Sequence, residues 1–157
     1  YHVVACDLGL FHFDGTALDS GTVVEFMVAK MLDIPSVVVR TDFRAGGDSR
    51  LDPWNLMVSG YPRTKILLAD AIARYQNELR VAGTTPVEAG LAATRSFAQE
   101  IVQALDEVRA MQPVLTPSLR EHIFQWMRHF PGESFSKLLS AETTQSLISS
   151  KVSRGLL

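Results

Sequence analysis

The order of apolar patterns in the first half restricts this chain most: a short β-branched run, a helical repeat, then a second β-branched run. Residues 3–6 (Val3-Val4-Ala5-Cys6) and 36–40 (Ser36-Val37-Val38-Val39-Arg40) are brief and apolar, as expected of parallel strands buried on both faces. Between them Val23, Val24, Met27, Val28 and Met31 recur at helical spacing. That spacing predicts a helix over residues 20–32, with Ser20 as its N-cap, and the three pieces together make a βαβ unit. A third run, Lys65-Ile66-Leu67-Leu68-Ala69, follows a loop rich in Gly, Asp and Pro (residues 42–53) and a segment of one or two helical turns (residues 54–60). It reads as another parallel strand.

From Ala71 onward the pattern is helical. Thr85-Pro86-Val87-Glu88 combines a capping threonine, proline at the first helical position and a glutamate that completes a capping box. The helix it opens should run to about residue 111, with Leu91, Phe97, Ile101, Val102, Leu105 and Val108 on one face and Pro113 as its stop. Thr116-Pro117 repeats the signal for a helix carrying Ile123, Phe124, Trp126 and Met127. Beyond Pro131 the chain is Ser-rich; Phe135, Leu138 and Leu139 predict one more amphipathic helix, with fraying from Ser149. The expected fold is therefore α/β, a partial flavodoxin- or Rossmann-like parallel sheet over residues 1–80. Residues 81–157 form a helical region packed on that core or on a partner subunit.

At 157 residues, 46% hydrophobic and 20% charged, the chain has the composition of one soluble globular domain. Its 15 Lys and Arg against 17 Asp and Glu generate no basic field for nucleic acid or an anionic membrane, so a small, specifically recognised ligand fits better. Lys30, Asp33 and Pro35 interrupt the most apolar region, which leaves no stretch near the ~20 residues needed to span a bilayer. The single cysteine, Cys6, forms no internal disulfide and reads as a buried strand residue in a reducing, cytoplasmic setting. His2, His12, His122 and His129 show no ligand spacing with one another or with Cys6, so no zinc site is expected. The chain opens at Tyr1 directly into a strand-like segment with no signal peptide, as though an upstream part were missing.

Open α/β sheets bind ligands outside the carboxyl ends of their strands. That rule selects residues 7–19, residues 41–55 and the segment after Ala69. The first loop and its helix supply Asp7, Asp14, Asp19 and Glu25; the second supplies Asp42, Arg44, Asp48, Asp52 and Asn55. Glu25 falls in the second turn of the predicted helix, and the residues four before and four after it, Gly21 and Ala29, are small. They leave a slot through which a substrate could reach the carboxylate, so Glu25 is the candidate nucleophile. Asp19, at the positive end of the helix dipole, is placed to orient a hydroxyl or a second carboxylate. Asp14-Gly15 is a turn signal, Arg44-Ala45-Gly46-Gly47-Asp48 reads as a flexible loop or an anion-binding turn, and Trp54 and Trp126 read as core or interface residues.

The run Asp19-Ser20-Gly21-Thr22-Val23-Val24-Glu25, followed by Ala29 and then Asn55-Leu56-Met57, resembles the nucleoside 2-deoxyribosyltransferase family. The likeness is greatest to eukaryotic members, which share the Asp14-Gly15-Thr16 loop and the Asp52-Pro53-Trp54 segment. The resemblance covers roughly the first 75 residues. It implies that Glu25 attacks the anomeric carbon of a 2′-deoxynucleoside, forming a glycosyl-enzyme ester that a second nucleobase then displaces. Asp19 would bind the sugar hydroxyls, with Asp14 and Gly21 beside the substrate. Asn55 would reach across from a neighbouring subunit of a homo-oligomer to the 5′-hydroxyl, in a pocket that Met57 lines. Two displacements at one carbon restore its stereochemistry, and the chemistry requires no metal or organic cofactor.

Family members also carry an upstream strand with an aromatic residue and, further on, a carboxylate that contacts the departing base. Neither lies within these residues, so the resemblance implies little transferase activity for this chain alone. Two other readings stand beside it: an N-glycosidase that hydrolyses deoxynucleosides or their monophosphates, and a catalytically degenerate interaction module.

Overall fold

A computed structural model describes residues 1–15, 17–42, 58–130, 132 and 137–157. Among them the chain runs α1 (His2–Ala5), β1 (Gly9–His12), α2 (Ser20–Met31), β2 (Ser36–Arg40), β3 (Thr64–Leu68), α3 (Ala71–Leu79), α4 (Pro86–Arg109), α5 (Pro117–Met127) and α6 (Ala141–Ser153). The three strands form an all-parallel sheet in the order β1-β2-β3, with Phe11 beside Val38 and Val38 beside Ile66. The α/β architecture is thus as expected, with helices flanking the sheet and further helices toward the C-terminal end.

β2 is buried along its whole length because it lies between two cores. Val38 faces one, with Phe11, Phe26 and Leu32; Val37 and Val39 face the other, with Ala104 and Val108 of α4. A central strand covered on both faces shows the unbroken apolar run that the sequence displays. β1 is an edge strand covered on one face only. Phe11 and Phe13 point inward, where both rings meet Phe26 edge-on at 5.1 and 5.9 Å, while Leu10 and His12 are exposed.

This corrects the sequence reading of residues 3–6 as the first strand. They lie instead in and beside the single helical turn α1, which buries Val4 and leaves Cys6 exposed as its C-cap. The true strand, Gly9–His12, was obscured because it is only four residues long and its exposed Leu10 is as apolar as its buried Phe11, which leaves no apolar–polar alternation to read.

α4 begins as the sequence predicts. The Thr85 hydroxyl accepts from the Glu88 amide at 3.3 Å, and the Glu88 carboxylate accepts from the Thr85 amide at 2.8 Å. Its buried face carries Ala89, Ala104 and Val108, with Phe97, Ile101 and Leu105 packed alongside. Leu91 and Val102, expected on that face, are exposed on the other side. Trp126 is exposed as well, stacked on Phe130 at 5.1 Å rather than placed in the core.

The second half of the chain packs onto the first. Phe124 and Met127 of α5, Leu139, Ile148 of α6 and Leu157 share one core with Phe11, Phe26 and Val38. The expected fraying after Ser149 does not occur: α6 continues to Ser153, Lys151 donates to the Cys6 carbonyl, and Leu156 and Leu157 are buried. Arg154 makes a two-pronged pair with Asp7. Asp7 therefore precedes β1 and is tied to α6, so it does not belong to the loop at the strand's carboxyl end.

α2 ends in a Schellman arrangement, with the Ile34 amide donating to Ala29 and the Asp33 amide to Lys30. Asp33 holds the left-handed position (φ 56°) that glycine usually fills. Its carboxylate accepts from the Val114 and Leu115 amides at 2.7 and 3.1 Å and faces buried Arg63 at 3.3 Å, contacts that offset the backbone cost.

Candidate functional site

The carboxylates singled out in the sequence fall into separate environments. At the carboxyl end of the sheet, Asp14 organises the loop after β1. It accepts from the Thr41 amide at 2.6 Å, the Thr41 hydroxyl and the Asp42 amide at 3.1 Å, and meets His12 Nε2 at 2.9 Å. Asp42 answers by accepting from the Gly15 amide at 3.0 Å. Beneath them Arg40, only 2% exposed, donates to the Phe13 and Gly15 carbonyls at 3.1 and 2.8 Å. Burial pulls the Asp14 carboxyl upward, but the Thr41 hydroxyl and amide, His12 and the Asp42 amide outweigh it and hold Asp14 below the usual carboxylate range.

Asp19 caps α2, in place of the predicted Ser20, which is the first helical residue. Its carboxylate accepts from the Thr22 amide at 2.7 Å and the Thr22 hydroxyl at 2.8 Å. Those bonds, the amide foremost, keep Asp19 below the ordinary carboxylate range. Of two adjacent cap-forming residues the anion takes the position, where the helix N-terminus favours negative charge.

Glu25 occupies a third environment. Phe26 turns fully into the core, which sets Glu25 at the border of the buried face of α2, above the flank of β1. There it lines a cleft of about 200 Å³ with Phe11, Ala29, Ile34, His2 and Cys6 among its walls. Glu25 is exposed, and among the described residues its carboxylate has no hydrogen-bond or ion-pair partner. Gly9 belongs to the same cleft, where a Cβ would come within 2.4 Å of the Phe11 ring. The slot predicted around Glu25 exists on the Ala29 side alone; Gly21 sits back at the helix start, beside Asp19.

Among the described residues, no hydrogen bond or ion pair joins Glu25 to Asp14 or Asp19. Asn55 and Met57 lie outside the described residues, as do Arg44, Asp48, Asp52 and Trp54. The groups that sequence reasoning missed are His2 and Cys6. Read as strand residues they would share a face but stand roughly 13 Å apart; the helical turn α1 instead stacks them one turn apart and brings both to the cleft. Their spacing of four was the available signal.

The third loop selected in the sequence, after Ala69, borders a cavity of about 280 Å³ walled by Thr41, Tyr75, Thr94 and Phe97. Its Arg74 is engaged by Glu100 through two bonds of 2.7 and 2.8 Å and stacks over Phe97. Among the described residues, no cluster of His, Cys, Asp and Glu is arranged to hold a metal ion, and no helix is long and apolar enough to cross a membrane. Compared with known proteins, the chain matches no family model, no curated protein and no solved structure.

Proposed function

We propose that the chain carries a glycosyl-transfer site of the nucleoside 2-deoxyribosyltransferase type, with Glu25 as nucleophile. The observation that carries this reading is the unpartnered Glu25 carboxylate at a cleft between α2 and β1. The cleft lies below the ~300 Å³ typical of drug-sized ligands, which suits one sugar ring. Attack by Glu25 forms an ester to the anomeric carbon as the bond to the base breaks; the base leaves with the electron pair and takes up a proton. A second base then forms its own bond to that carbon and releases the carboxylate. Asp19 orients the sugar hydroxyls; the roles that the resemblance implies for Asn55, at the 5′-hydroxyl from a neighbouring subunit, and for Met57, lining that pocket, fall on residues outside the described ones. Asp14 is left out of the reaction, because its oxygens are engaged within the chain.

One observation favours hydrolysis as a second reading. Glu25 is exposed, so water reaches the ester as readily as a base does, and exclusion of water decides between transfer and N-glycosidase activity.

The test is incubation with a 2-deoxy-2-fluoro glycoside bearing a dinitrophenolate leaving group, which departs without a proton donor. Intact-mass measurement and peptide mapping should find one sugar on Glu25. A label elsewhere, or none, overturns the assignment. Product analysis with deoxyinosine, with and without added adenine, separates transfer from hydrolysis.

A further inference from the structure

The outward face of α4 carries a pattern that its own chain leaves unused. Val87, Leu91, Ala98 and Val102 fall along one stripe, turned away from the buried residues Ala89, Ala104 and Val108. Leu91 and Val102 are 60% and 59% exposed, in a helix whose other face packs on the sheet. The charges sharpen the point. Glu88 closes the capping box, Glu100 pairs with Arg74 and Glu107 pairs with Lys65, but among the described residues the side chains of Arg95, Asp106 and Arg109 make no hydrogen bond or ion pair. Eleven residues separate Arg95 from Asp106, close to three helical turns, so they stand on the same flank of the stripe. A shallow groove lined by Arg95, Ala98, Val102 and Asp106 runs along that flank.

We propose that α4 is the surface through which two copies of this chain pair, antiparallel, with Arg95 of each copy facing Asp106 of the other. A two-fold contact is self-complementary: if one residue meets a second, the second meets the first. With Arg95 opposite Asp106, the axis crosses α4 midway between them. Val102 of one copy then lies beside Gln99 and Ala98 of the other, and Leu91 lies against the aliphatic stem of Arg109. Parallel pairing would set Arg95 against Arg95 and Asp106 against Asp106. The charge pattern therefore selects both the orientation and a second copy as the occupant. This inference is independent of the role of Glu25.

Sedimentation equilibrium of the full chain tests it. Arg95→Asp and Asp106→Arg should each weaken dimerisation by roughly tenfold or more, and the double variant, with the charges exchanged, should return it to within about threefold of the wild type. Val102→Asp should abolish dimers, and circular dichroism should confirm that all four variants fold. A chain that is monomeric at millimolar concentration overturns the proposal, as does a dimer indifferent to the single reversals or a double variant that fails to recover.

Discussion

Two regions beside β1, the loop at its carboxyl end and the helix α2 along its flank, contrast in how their carboxylates are used. At the carboxyl end of the sheet, Asp14 and Asp42 are knitted to Thr41, Gly15 and His12, with Arg40 locking the backbone beneath. On the flank of β1, Glu25 borders a cleft with no partner. Acceptors engaged within their own chain fix a loop, whereas a carboxylate with open lone pairs retains the capacity to bind or attack. The rule that ligands sit beyond strand carboxyl ends selects the first region. The hydrogen-bond inventory selects the second.

The largest effect should come from Glu25. Glu25→Gln should lower formation of the sugar adduct by roughly a thousandfold or more, as loss of a nucleophile does, while changing stability by no more than about 0.5 kcal/mol, as for an exposed side chain. A large stability loss would show that Glu25 is structural and erase the contrast. Asp14→Ala should do the reverse. Removing the acceptor for two backbone amides and a hydroxyl should cost about 1–3 kcal/mol in urea unfolding and leave the adduct rate on Glu25 within about threefold. Because the native Asp14 carboxyl sits below its ordinary value of 3.8, its contribution is present above that pH and is lost as the pH falls through the native value. The difference between wild type and Asp14→Ala should accordingly shrink in acid.

Much of this layout could be read from the residues, for identifiable reasons. β2 was legible because burial on both faces left an uninterrupted run of valines, and α4 because its start is written in local chemistry, Thr85, Pro86 and Glu88. β1 was not, because it is short and puts the apolar Leu10 on its open face, and its Gly9 is set by the approach of the Phe11 ring, which involves no local turn. The placement of Val3 and Val4 in a helical turn depends on packing against α2, a tertiary effect that β-propensity does not register. The site divided the same way. Glu25 could be singled out from its small neighbour Ala29, but the walls contributed by His2 and Cys6 follow from that unforeseen turn. Leu91 and Val102 match a helical repeat as well as the buried residues do; periodicity marks a stripe without saying which side meets the sheet.

Asp19 gives a smaller and more discriminating effect, since it combines a proven cap with a proposed sugar contact. Asp19→Ser keeps a capping oxygen and should leave the urea midpoint nearly unchanged, whereas Asp19→Ala should lower it. If the carboxylate also orients the sugar, Asp19→Ser should slow labelling of Glu25 while the fold stays intact. Equal labelling by wild type and Asp19→Ser would assign Asp19 to capping alone.

The last effect lies farther along α2, at Lys30, and asks whether burial near the helix end is structural in the same sense as the Asp14 loop. Lys30 donates to the Pro62 and Arg63 carbonyls and the Thr64 hydroxyl. Burial pushes its ammonium down from an ordinary 10.5 to about 8, with Asp33 opposing and Arg63 assisting. Between those values the unfolded chain holds a proton that the native chain has released, so raising the pH from 8 toward 10.5 stabilises the fold and lowering it restores the penalty. Measured against Lys30→Met, which has no proton to release, the wild type should gain stability across that window and show a constant difference below it. A flat difference throughout would mean that the three oxygen acceptors compensate fully for the lost water, and that this end of α2, like the Asp14 loop, closes around its charge without residual strain.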